Sequence, residues 1–193
     1  MKRLYAILFV IAAIALASSS ASAQMMKSDG MMRENPMVGG AAMYPSKTIV
    51  ANAMNSADHT ALVAAVKAAG LVDTLNGQGP FTVFAPTNAA FAQLPAGTVD
   101  TLLQPENKAM LTKVLTYHVV AGTYDSKTLG KLIRKGGGKA RLKTVSGGTL
   151  WALMDGSNIV LRDEKGGTST VTTADVYQSN GVIHVVNAVL LPN

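Results

Sequence analysis

The chain has 193 residues, no cysteine and a formal net charge of +6. This length suits one domain with its own hydrophobic core. Without cysteine, the chain has neither disulfide bonds nor a lipid anchor on an N-terminal cysteine. No apolar run after the N-terminal one reaches the ~20 residues that span a bilayer, so we expect no membrane span in the mature chain.

The first 23 residues have the pattern of an export signal. Lys2 and Arg3 form a basic start, residues 4–16 are apolar but too short to cross a bilayer, and Ala21-Ser22-Ala23 matches a small-residue cleavage site. We therefore predict cleavage after Ala23 and export to a periplasm or to the cell exterior.

Residues 24–40 are polar, contain glycine and show no hydrophobic period, which predicts a flexible N-terminal tail. The tail is rich in methionine, whose thioether sulfur is a soft ligand that suits Cu(I). One hypothesis is therefore a soft-metal site formed by Met25, Met26, Met31 and Met32. The alternative is that these residues have no ligand role, and no cofactor is predicted.

Residues 48–56, 58–69 and 105–116 have the apolar spacing of helices, and His59 is expected at the surface of the second. Residues 81–84 read as a strand covered on both faces. Thr87 then offers a cap for a short helix, and we expect Asn88 to satisfy backbone donors at its start.

Residues 126–144 hold seven of the 17 Lys and Arg residues and no acidic one. Apolar spacing predicts a short helix, three glycines break it, and residues 140–144 read as an edge strand with basic side chains outward. The run is either a patch that attracts a polyanion or a solvated edge protected by lysine. Nucleic acid is not predicted, because the run has no aromatic residue for base stacking. Its basic residues are Lys127, Lys131, Arg134, Lys135, Lys139, Arg141 and Lys143.

The C-terminal third reads as β-strands over residues 149–154, 159–162, 171–173, 176–179 and 182–186. Asn180-Gly181 predicts a tight hairpin turn with positive φ at both residues. His118, at a predicted helix-to-strand junction, and His184, within a strand, are expected to be hydrogen-bonded structural residues.

Three stretches, in this order, resemble the signatures of fasciclin domains: Thr82 to Phe91, the pair Tyr117-His118, and Ser179 to Pro192. The resemblance covers residues 44–193 and implies an α+β fold, a wedge with a β-sandwich-like core and several packed helices. It departs from the family at Asn187, where Asp is commoner. The residues that match the family's structural motifs are Thr87, Asn88, Phe91, Asn180, Gly181 and His184.

No motif of a known catalytic class is present, so the sequence does not predict an enzyme. The resemblance implies a secreted adhesion module that contacts the cell surface or extracellular matrix. The partner is predicted to be a protein or, because of the basic run, an acidic polysaccharide. Besides the basic run, the resemblance suggests two candidate partner contacts. One is Tyr117-His118, and the other is the pair Asp175-Val176, which partly matches an integrin-associated Asp-Ile segment of the family. The alternatives are a periplasmic soft-metal-binding protein and a matrix component that self-associates as a weak homo-oligomer.

Overall fold

The computed structural model describes residues 35–193. The predicted signal segment and Met25, Met26, Met31 and Met32 lie outside these residues. No helix in the part described is both long and apolar enough to cross a membrane. Its helices are α1 (Ile49–Ala53), α2 (Thr60–Ala69), α3 (Val72–Asn76), α4 (Asn88–Ala92), α5 (Thr98–Leu103), α6 (Lys108–Tyr117) and α7 (Ser126–Lys135).

Short 3₁₀ turns, Ala57–His59 and Pro105–Asn107, lead into α2 and α6. The strands are β1 (Met37–Val38), β2 (Ala41–Ala42), β3 (Phe81–Pro86), β4 (Val119–Ala121), β5 (Lys139–Lys143), β6 (Thr149–Asp155), β7 (Asn158–Arg162), β8 (Thr168–Gln178) and β9 (Gly181–Val186).

The first two strands correct the predicted tail. β1 and β2 pair as an antiparallel hairpin around Gly39 and Gly40, which both have positive φ. Val38 is buried and joins the hydrophobic core. The prediction of a flexible tail up to residue 40 is therefore wrong for its last residues, because a two-residue strand is too short to show an alternating pattern.

The other seven strands form one sheet in the order β4-β3-β9-β8-β7-β6-β5. Its strand pairs are antiparallel except β3 with β9, which run parallel. A bridge between Val120 and Thr144 brings the two ends of the sheet together. The sheet therefore closes almost into a barrel, which leaves little open edge.

Two apolar clusters pack on opposite faces of β3 and β9. Phe84 and Val186 point into the cluster enclosed by the curved sheet, which α7 completes with Leu129 and Ile133. Val83 and the alternate residues of β9 face a second cluster, built largely from α1, α2, α3 and α6. The α+β prediction, a sandwich-like core with helices packed on it, is confirmed.

The strand β3 and the helix after it form as predicted, with one correction. Thr87 caps α4 by accepting the Ala90 N–H at 3.2 Å. Asn88, however, reaches across to α2: its Oδ1 accepts the Ala61 N–H at 3.0 Å, and its Nδ2 donates to the Ala57 carbonyl at 2.8 Å. Asn88 therefore joins α4 to α2 and to the 3₁₀ turn before α2. It does not bond the backbone N–H groups at the start of its own helix.

The turn between β8 and β9 also differs from the prediction. Neither Asn180 nor Gly181 has positive φ. The Asn180 side chain binds three backbone groups, accepting the Ile49 N–H and donating to the carbonyls of Leu75 and Gly77. A Cβ on Gly181 would lie 2.0 Å from the Phe81 carbonyl oxygen. The Asn-Gly pair is thus required by tertiary contacts rather than by the turn type.

Replacing Asn88 by Ala should lower the free energy of unfolding by about 1–3 kcal/mol, because it leaves the Ala61 N–H and the Ala57 carbonyl without their partner. Urea unfolding measures the change. Asn55→Ala is the matched control, since its exposed amide makes a single bond to the Ala51 carbonyl. Equal stability of both variants and the native chain would contradict this role of Asn88.

Candidate binding surfaces

The basic run contributes one surface through α7. Asp125 caps this helix by accepting the Thr128 N–H at 2.7 Å. Leu129 and Ile133 are buried on its inner face. Four basic residues recur at positions one and two turns apart, so they share the opposite face. All four are exposed, and we name them the helix stripe: Lys127, Lys131, Arg134 and Lys135.

The second part of the run lies on β5, whose residues alternate between exposed and buried as predicted. Lys139, Arg141 and Lys143 are exposed, and we name them the strand stripe. Ala140 and Leu142, on the other face, belong to the same apolar cluster as the buried residues of α7. The two stripes therefore lie on either side of this apolar contact, and the run forms two basic surfaces instead of one patch.

Tyr117 and His118 do not form an exposed contact pair. Tyr117 has no exposed surface and His118 only 3%. The Tyr117 hydroxyl donates to the Thr149 carbonyl at 2.7 Å and accepts the Glu164 N–H at 3.1 Å. Burial raises the pKa of Tyr117 to about 12. The prediction of a partner contact here is wrong in this structure, because both side chains are core residues.

His118 is held as a neutral imidazole by two backbone groups. Its Nδ1 lies 2.9 Å from the Val114 carbonyl oxygen, which can only accept, so Nδ1 carries the proton. Its Nε2 lies 3.0 Å from the Leu190 N–H, which can only donate, so Nε2 accepts. Burial lowers the pKa of His118 from 6.5 to about 4.

The other two histidines are also buried. His184 stacks on Phe84 with ring centroids 5.6 Å apart, and its Nε2 donates to the Tyr124 carbonyl at 2.7 Å. Burial lowers the pKa of His184. Its predicted role as a hydrogen-bonded residue of the sheet is confirmed.

His59 is 3% exposed and bonds the Ser56 hydroxyl at 2.8 Å, so its predicted surface position is wrong. Burial lowers the pKa of His59 too. The residues before α2 form a 3₁₀ turn that directs the ring inward, a local change of period that helical spacing does not reveal.

The pair Asp175-Val176 is also placed differently from the prediction. Val176 has no exposed surface and packs in the helical cluster. Asp175 sits at an irregularity of β8 with φ of +60°, and its carboxylate accepts the N–H and the hydroxyl of Ser126 at 2.7 and 2.5 Å. Asp175 therefore ties β8 to the start of α7, and Val176 offers no exposed surface to a partner.

Asp163 is a structural residue that the sequence does not reveal. It is 4% exposed and accepts backbone N–H groups of Lys165, Gly167 and Leu191. Its side chain thus fixes the turn between β7 and β8 and the C-terminal segment. Over residues 35–193, no group of three or more His, Asp or Glu residues is arranged to hold a metal ion.

Acid should destabilise the domain through His118. Its pKa is about 4 in the fold and 6.5 when unfolded, so the unfolded chain binds more protons between these values. Stability is therefore full above pH 6.5 and falls as pH drops toward 4, by about 3 kcal/mol from this residue. Urea unfolding at several pH values measures the loss.

His118→Met is the control, because it removes the titrating group while it keeps an apolar side chain in the core. This variant should be less stable at neutral pH, since the Leu190 N–H loses its acceptor. It should also lose less stability on acidification. The same loss in both proteins would contradict the assignment to His118.

Comparison with known proteins connects this geometry to a family. Residues 57–192 match the fasciclin domain. The chain is 46% identical over 160 residues to protein sll1483 of Synechocystis, covering 82% of this chain and 81% of that protein. It is 40% identical over 131 residues to the transforming growth factor-beta-induced protein ig-h3 of Sus scrofa, covering 68% of this chain but 17% of that larger protein.

Another relative is the immunogenic protein MPB70 of Mycobacterium bovis, 36% identical over 146 residues, with 72% of this chain and 66% of that protein covered. Among solved structures, a pair of FAS1 domains from the insect cell adhesion molecule fasciclin I has the same fold, with a TM-score of 0.69 at 20% identity. The match covers 76% of this chain and about half, 51%, of that one. The chain belongs to the fasciclin domain family.

Proposed function

We propose that this protein is an exported, non-enzymatic adhesion module that binds acidic polysaccharide through its basic stripes. The relatives support the general class: one solved neighbour is a cell adhesion molecule, and a further relative, 33% identical over 122 residues, is the cell surface glycolipoprotein MPB83 of Mycobacterium bovis. The ligand class is inferred from the charge of this chain's own surface.

The observation that carries the proposal is the exposure of all seven basic residues of the run. The helix stripe places four cations along one face of α7, and no acidic residue interrupts residues 126–144. Such a field attracts a polyanion over about one Debye length, roughly 10 Å at 0.1 M salt. The repeated charges of an acidic polysaccharide match a row of cations along a helix.

The buried polar residues support a non-enzymatic role. A general acid or base must reach a substrate and titrate near the working pH. The three histidines are buried, and burial lowers the pKa of each. His118 and His184 are both engaged with backbone groups. These histidines therefore serve packing, and we assign the function to contacts made at the protein surface.

The helix stripe is the stronger of the two candidate contacts. Lys127, near the N-terminus of α7, faces the positive end of the helix dipole, where a cation gains no stability from the helix. Arg134 and Lys135, in the last turn, favour the helix. In the strand stripe, Arg141 donates a hydrogen bond to the Thr149 hydroxyl at 3.2 Å. Part of its guanidinium group is therefore already bonded within the fold.

Reversing charge in the helix stripe should weaken salt-sensitive binding without loss of stability. The variant Lys127→Glu/Lys131→Glu removes two cations and places anions nearer the favourable end of the helix dipole. Retention on immobilised dextran sulfate across a salt titration, with neutral dextran as the reference, measures the effect. We expect the native chain to elute at higher salt than this variant.

Two charge-matched variants locate the contact. Lys139→Glu/Lys143→Glu tests the strand stripe, and Lys67→Glu/Lys108→Glu changes exposed lysines of α2 and α6. Equal weakening by all three pairs would mean that net charge alone governs retention. Unchanged retention of both stripe variants would leave the stripes as solvated surfaces and overturn the proposal.

A further inference from the structure

A cleft of about 560 Å³ opens beside the turn between β8 and β9. Its walls are this turn, the segment that joins α3 to β3, and two threonines at its sides. Its volume falls within the roughly 300–1,000 Å³ of small-molecule sites. Among residues 35–193, none that lines the cleft is charged. The lining side chains with hydroxyl, amide or aromatic groups that a ligand could contact are Thr48, Asn76, Gln78, Thr123, Ser179 and Tyr177.

The backbone holds the cleft in shape before any ligand binds. Asn180 clamps its floor by donating to the carbonyls of Leu75 and Gly77 at 2.7 and 3.2 Å while accepting the Ile49 N–H at 3.0 Å. A Cβ on Gly79 would lie 2.0 Å from the Asn180 carbonyl oxygen. The base of the cleft is therefore formed by closely packed backbone segments. Because these segments are already fixed, the protein loses little conformational entropy when a ligand binds.

Polar groups of the rim are available to a ligand. Asn76 Oδ1 accepts the Thr48 hydroxyl at 2.8 Å, which orients its NH₂ group as a donor. The side chains of Gln78, Thr123 and Ser179 are exposed. Amides and hydroxyls of this kind both donate and accept, as the hydroxyl groups of a sugar do.

Tyr177 supplies an aromatic face at the same place. Its side chain is 37% exposed, and its hydroxyl donates to Asp125 Oδ2 at 3.3 Å, which fixes the ring. An aromatic ring presents a negative face, and a pyranose ring presents C–H groups on one of its own faces, so the two can stack. The Asp125 carboxylate near the ring disfavours an anionic ligand.

We infer that this cleft binds a neutral sugar, the end or a short segment of an uncharged oligosaccharide. The ring of Tyr177 stacks on a pyranose, and the amides of Asn76 and Gln78 bond its hydroxyl groups. The inference is independent of the basic stripes, whose ligand is anionic and whose binding depends on salt. Because the cleft is open and the lining that the structure describes carries no charge, binding is weak and insensitive to salt.

An array of neutral gluco-, galacto- and manno-oligosaccharides, followed by NMR titration of the purified chain with the best binder, tests this. The side-chain amide signals of Asn76 and Gln78 should shift on titration, with the same affinity at low and high salt. Tyr177→Leu should weaken binding about tenfold or more, as loss of one stacking contact does.

Tyr44→Leu is the matched control, because Tyr44 is similarly exposed, at 42%, and does not line the cleft. It should bind as the native chain does, as should Lys127→Glu/Lys131→Glu. Gln78→Ala is a second test that leaves the fold undisturbed, since Gln78 is exposed. It should also weaken binding.

Three outcomes would overturn the inference: no neutral oligosaccharide binds at millimolar concentration, binding survives both Tyr177→Leu and Gln78→Ala, or an acidic oligosaccharide occupies the cleft more tightly. A native chain that binds neutral oligosaccharide but is not retained on dextran sulfate would instead refute only the proposed polyanion contact. The two proposals therefore fail separately.

Discussion

The parallel pairing of β3 with β9 is the constraint on which the rest of the structure depends. Six consecutive residue pairs, from Phe81 with Gly181 to Pro86 with Val186, join the first long strand to the last. Both strands are buried along most of their length, and successive residues such as Val83 and Phe84 belong to different apolar clusters on their opposite faces. The close approach at Gly181 sets this register, since a side chain there would meet the Phe81 carbonyl.

Much of this architecture is visible in the sequence because it follows local rules. Thr87 caps α4, Gly70 ends α2 in the left-handed conformation, and β5 alternates basic and apolar side chains, all as propensity and period require. Each of these features depends only on residues a few positions away in the sequence. They confirm the α+β prediction and the exposure expected of the basic run.

Most errors fall where distant segments decide the outcome: Asn180 is fixed by groups more than 100 positions away, and Val176 packs under the helices. His59 is a local exception, because a 3₁₀ turn before α2 changes the helical period. No single-sequence pattern shows these partners, because each polar group could equally face water. For the same reason the cleft beside Tyr177 escapes sequence analysis: its residues come from four separate parts of the chain.

The pairing of β3 with β9 also bears on the order of folding. The two strands lie about 100 positions apart, so neither core can close until the C-terminal strand is present. Long-range pairing of this kind makes the fold slow to nucleate, because a large loop must close before its contacts form. In a chain still emerging from the ribosome, the pairing of β3 and β8 with β9 cannot form until β9 is complete. Loss of the last strand would remove the whole domain, not merely one edge of it.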